Sequence, residues 1–127
     1  MTAQDILDMS LDIMSERRSD GTRPADLGYF TSRAVAYINI TLAECAPYEA
    51  QLSGREIDFL PVTALSDEIH SDIQIAYTAM PYCVASLYML AEDDDRYKLF
   101  RTLFENALLK ATRERRGRVR SITDVYT

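Results

Sequence analysis

The sequence predicts a mainly α domain: a four-helix bundle with a long irregular arm and an extended C-terminal tail. Three observations lead there. The chain has 127 residues, which suits one domain. Hydrophobic residues make up 47% of it, enough for a packed core and too many for a disordered chain. Apolar residues recur at helical spacing in four stretches, while four Gly and four Pro leave little turn chemistry for a multi-stranded sheet.

The first helix is predicted over residues 2–17. Thr2 and Asp5 have the spacing of a capping box. Ile6, Leu7, Ser10, Ile13 and Met14 form one apolar face, and Asp5, Asp8, Asp12 and Glu16 form a separate acidic stripe. Like charges at that spacing cost on the order of tenths of a kcal/mol per pair. The stripe therefore reads either as a solvated face or as a docking face for a basic partner. Residues 18–28 contain Ser-Asp-Gly-Thr and Arg-Pro and read as a loop. The second helix is predicted over 29–45, with Phe30, Ala34, Ile38, Leu42 and Cys45 on one face, and Pro47 ends or kinks it.

Residues 48–71 form the arm. One more helical turn fits before Gly54, and Pro61 argues against a central strand. The segment exceeds an ordinary connection, so it is expected to be functional or to pack on the bundle as an arm, and Phe59 and Leu60 are its candidate contacts with a neighbouring subunit or another partner. The third helix is predicted over 72–92, with Ser71 or Asp72 as N-cap. Its core face is Ile73, Ala76, Met80, Cys83 or Val84, Leu87 and Leu90. Pro81 inside it demands a bend or a later start, since a mid-helix Pro costs about 3 kcal/mol. The fourth helix is predicted over 94–115, capped by Asp93 or Asp94, with Tyr97, Phe100, Phe104, Ala107, Leu108 and Ala111 facing the core. Gly117 is the expected stop, which closes the helical domain at 1–117 and leaves 118–127 as a tail. Val119, Ile122, Val125 and Tyr126 favour an extended strand there. Ile122, Val125 and Tyr126 would anchor it on another protein by strand addition.

Net charge is −6, unevenly placed. Residues 110–120 hold six Lys/Arg and one Glu, a balance of +5, which leaves −11 on the rest. Arg113, Arg115, Arg116, Arg118 and Arg120 can grip phosphates, favour the negative end of the fourth helix, or pair with carboxylates of another subunit. The acidic remainder and the lack of a recognition-helix layout favour pairing between subunits over nucleic acid as the main role.

The sequence shows little catalytic chemistry. His70 is the only histidine, so neither a Ser-His-Asp set nor a histidine metal cluster can be assembled. There is no phosphate loop, and the run Glu92-Asp-Asp-Asp95 lacks the Gly and spacing of a calcium loop. The expectation is a non-enzyme without cofactor or metal. The aromatics fall mostly on helical faces, as core or interface residues. Cys45 and Cys83 sit in apolar patterns and read as reduced core thiols. No apolar run is long enough for a membrane span, and Asp5, Asp8 and Asp12 interrupt any signal-peptide layout, so a cytoplasmic product is expected.

Several segments, in order, resemble the adaptor proteins of the head-to-tail connector of tailed bacteriophages. They are Ile38-Asn-Ile-Thr-Leu-Ala-Glu44, Leu65-Ser-Asp-Glu-Ile69, Ala79-Met-Pro-Tyr82, Leu90-Ala-Glu-Asp-Asp94 and Ser121-Ile-Thr-Asp-Val-Tyr126. Cys83 departs from the small residue, often Gly, that the family places after Pro-Tyr. The resemblance implies a structural protein of the virion neck, made in the host cytoplasm. Copies would form a ring, usually a dodecamer, under the portal protein. The ring would extend the DNA channel without sequence-specific DNA binding and present a surface to a tail-side connector or stopper. The alternative from a different class is a small helical DNA-binding or regulatory module that uses its basic C-terminus.

Overall fold

Thr2 and Asp5 close the expected capping box: the Thr2 amide donates to the Asp5 carboxylate at 2.9 Å, and the Asp5 amide donates to the Thr2 hydroxyl at 3.3 Å. This starts the first helix of the computed structural model. The model describes the backbone of residues 1–15, 27–54 and 60–126, and side chains within 1–14, 28–54 and 60–113. The described helices are α1 (Ala3–Ser15), α2 (Leu27–Ser53), α3 (Ile73–Thr78), α4 (Met80–Met89) and α5 (Asp94–Tyr126). Since α3 and α4 follow one another across Ala79, they count as one bent helix, and the architecture is a mainly α bundle of four. The one departure from helix pairing is an isolated antiparallel bridge between Thr2 and Glu68; no strand forms among the described residues.

α4 is the hub and packs on each of the other four segments, most extensively on α5. Its sequence has no charge, and eight of its side chains are buried, Pro81, Ser86 and Tyr88 among them. A helix apolar on all sides must sit inside. Ile6, Leu7 and Leu11 of α1, Ala34, Ile38 and Cys45 of α2, and Phe100, Phe104 and Leu108 of α5 close around it. Between α2 and α4, Phe30, Tyr37 and Tyr88 stack edge-on with centroids 4.8–4.9 Å apart. The Tyr88 hydroxyl donates to the Phe30 carbonyl, so the polar end of this buried ring has a partner.

Four expectations need correction. Pro47 does not end α2, which continues to Ser53. Buried Cys45 and Glu49 flank the proline, and their packing outweighs the lost backbone bond. Gly54, at φ 74°, then caps the helix and donates to Ala50 at 3.0 Å.

Pro81 places the bend earlier than itself. α3 stops at Thr78, and Pro81 lies in the first turn of α4, where its missing amide costs little. The break shifts the helical phase, so Ile75 and Ala76 are buried while Ile73 is 67% exposed. Leu90, just past α4, is exposed too.

The arm is not free along its described length. Asn39 grips Val62 with two bonds, accepting from its amide at 2.8 Å and donating to its carbonyl at 2.9 Å. Asp67 accepts from the amides of Thr63 and Ala64 at 2.8 and 3.1 Å. Ala3 and Gln4 donate to the carbonyls of Asp67 and Leu65, and Ile69 donates to Met1. Glu49 accepts from the Asp72 amide at 2.9 Å. Residues 62–72 are thus stapled to their own α1 and α2, because their backbone polar groups find partners there.

The extended C-terminal tail is instead helix: α5 runs through Gly117 to Tyr126. Prolonging a helix adds one bond per residue without a new nucleus, which outweighs a Gly penalty of about 1 kcal/mol and the strand preference of Val119, Ile122 and Val125. Those residues also fit a helix: Val119, Ile122 and Tyr126 recur at i, i+3 and i+7.

Candidate interaction surface

Asp5, Asp8 and Asp12 of the acidic stripe lie on α1, which contains no Lys or Arg. Asp5 and Asp12 are exposed; Asp8 is half-buried and accepts from Gln4 at 2.9 Å. Beside the stripe, a groove of about 410 Å³ opens where α3 gives way to α4. Met9, Asp12 and Ile13 form its α1 wall, and Tyr77, Pro81 and Tyr82 the opposite side. Its depth is fixed from below, since buried Ser10 donates to the Pro81 carbonyl at 3.0 Å and ties α1 to α4. Tyr77 is 54% exposed, a large aromatic left open on this face.

The second component is α5. Asp93 caps it through the Arg96 amide at 3.1 Å. Arg96 also donates to the Met14 carbonyl at 2.9 Å, holding the start of α5 against the end of α1. Along the body of the helix Phe100, Phe104, Leu108, Ala111 and Thr112 are buried, and Arg113 is exposed. The backbone helix nevertheless continues over 113–126, about 21 Å further, and carries the arginine block.

The remaining sequence-predicted contacts divide in two. Leu60 is 60% exposed. Glu16 and Phe59 lie outside the described residues, as do the side chains of Arg115, Arg116, Arg118, Arg120, Ile122, Val125 and Tyr126.

A polar knot between α2, α4 and α5 was not foreseen from the sequence. Arg101 reaches both carboxylate oxygens of Glu44, with Nη1 at 2.9 Å from Oε2. The Cys83 thiol donates to the same carboxylate at 3.2 Å. The Arg101 bond is the main reason that the Glu44 carboxyl is held below its ordinary range. Burial pushes the Cys83 thiol up to about 12, so it stays protonated at neutral pH and acts as a donor, not a nucleophile. Cys45 is shifted up by burial as well, and both thiols are free. Glu49 is held above its ordinary value, chiefly by burial. These groups join helices and have the character of internal fastening.

No family model, curated protein or solved structure matches this chain. Among the described residues no helix is long and apolar enough to cross a membrane.

Proposed function

We propose that this chain is a structural assembly part of a tailed-phage neck: a head-to-tail connector adaptor. Copies form a ring under the portal, extend the DNA channel and offer the attachment surface for the tail. One observation carries the reading. α5 is 33 residues long, and its backbone helix carries the arginine-rich end on to Tyr126, past Thr112, the last buried residue among those whose side chains are described. A helix that long is marginal on local propensity alone, and in this reading a partner supplies contacts to its arginine-rich end. The acidic body of the same protein supplies complementary charge. The ordered segments that resemble the adaptor family give the partner its identity.

Electron microscopy of the chain, alone and co-expressed with the portal protein, tests this. Closed rings, free or seated on the portal, are the expected result. A chain that stays monomeric and binds no portal overturns the reading. Tight duplex-DNA binding by that monomer, weakening steeply with salt, would establish the DNA-binding alternative.

A further inference from the structure

We propose that the cavity between the end of α2 and the start of α3 is a binding site for a primary alkylammonium group. The site belongs to one copy of the chain and does not depend on the assembly reading.

The cavity holds about 510 Å³, within the range of small-ligand sites, and opens to solvent. Glu49 lines it and is only 7% exposed. Its carboxylate accepts from the Asp72 amide at 2.9 Å and has the Ser71 hydroxyl as a second donor. Both donors are neutral, and no Lys or Arg among the described residues pairs with it. Burial is the chief reason that this carboxyl is held above its ordinary value. Such a carboxylate has lost the hydration of its charge and gained no counter-ion in return. The cavity is the open side from which a cation can reach it.

The lining selects the cation. A divalent metal wants several acidic, histidine or thiol ligands, and no group of three able to hold one occurs among the described residues. Leu52 and Ile69 give the cavity apolar walls, which suit the alkyl stem of an organic cation. A guanidinium grips both oxygens of a carboxylate along one edge, and here the Asp72 amide and the Ser71 hydroxyl already occupy part of that oxygen pair. An ammonium takes its acceptors one at a time. A carboxylate offers about four acceptor positions, so Glu49 has room for it, and the Ser71 hydroxyl and exposed His70 line the same space as further acceptors.

A nuclear magnetic resonance titration of the full chain with n-butylammonium tests the site. The amides of Glu49, Leu52, Ser53 and residues 69–72 should shift together and saturate, with a dissociation constant on the order of millimolar. n-Butanol, which has the stem without the charge, and n-butylguanidinium, which has the charge in planar form, should each bind several-fold more weakly. Glu49→Gln keeps the shape of the side chain and removes its charge; it should weaken n-butylammonium by roughly tenfold or more. Circular dichroism checks that this variant is folded, and the wild-type titration with the three probes decides the matter if it is not. Nα-acetyl-lysine methylamide separates the two sources of the group. Binding as tight as n-butylammonium assigns the site to a lysine side chain of another protein, and weaker binding assigns it to free amines; both uphold the site.

No saturable shift at these amides up to about 100 mM overturns the inference. So do shifts that n-butanol reproduces, tighter binding of n-butylguanidinium, or shifts confined to the acidic stripe of α1. None of these results bears on the adaptor reading.

Discussion

Removing the Glu44–Arg101 fork should cost less than its geometry suggests, and the size of that discount is measurable. The perturbation is a double-mutant cycle with Glu44→Gln and Arg101→Met. A buried hydrogen bond to a charged group contributes about 1.5–3 kcal/mol. The side chains are 28% and 33% exposed, however, and fully exposed pairs contribute only about 0–1 kcal/mol. Between these limits, the expected coupling is about 1–2 kcal/mol at pH 7, read from urea unfolding. The Glu44 carboxyl is depressed in the folded state, chiefly by Arg101. Its contribution is therefore present above the ordinary glutamate value near 4.3 and is lost as pH falls through the lower, folded value. Coupling below about 0.3 kcal/mol at pH 7, or coupling that survives acidification unchanged, would refute the reasoning.

Phe104→Ala should destabilise the chain by about 3–5 kcal/mol in the same assay, because the ring is fully enclosed by the core. Asn39→Ala should release the loop: amide exchange at 62–69 quickens, with a local cost of about 1–3 kcal/mol from the orphaned Val62 groups. Asp67 is held below its ordinary value mainly by the Thr63 and Ala64 amides. Its hold on those amides is complete above the ordinary Asp value and lost as pH falls through the folded one, so their protection should fade on acidification, and in Asp67→Asn that pH dependence should vanish. Arg115→Glu with Arg116→Glu should raise the concentration needed for assembly at low salt, with the gap to wild type narrowing as salt rises; light scattering across both conditions checks it.

The helical elements were legible because their signals are local. The capping box at Thr2, the Asp72 cap and the stripe Phe100, Phe104, Leu108, Ala111 each depend on neighbours a few residues apart. What failed depends on distance. Nothing near Asn39 announces that Val62 will lie against it, so the sequence leaves open whether residues 62–72 reach outward or pack on their own bundle. Glu44 and Arg101 are separated by 57 positions, and each looks alone like an ordinary surface charge. The end of α5 failed for another reason: β-branched residues and Gly117 outweighed the i, i+3, i+7 spacing that was already present in Val119, Ile122 and Tyr126. The acidic stripe was visible from the start. The groove beside it was not, because it exists only once α3 and α4 bend at Ala79.

The length of α5 also makes it a lever arm. Over the roughly 21 Å of helix past Thr112, a tilt of about 5° displaces the tip by about 2 Å, more than a hydrogen bond tolerates. The aim of that tip is set where α5 is clamped: Arg96 against the end of α1, Arg101 against α2, and Phe100 and Phe104 in between. A substitution at any of these can leave the domain folded while re-aiming the end of α5. In the proposed ring such angular errors would recur at every joint and add around the circle. Selection on this bundle would then act on straightness as strongly as on stability.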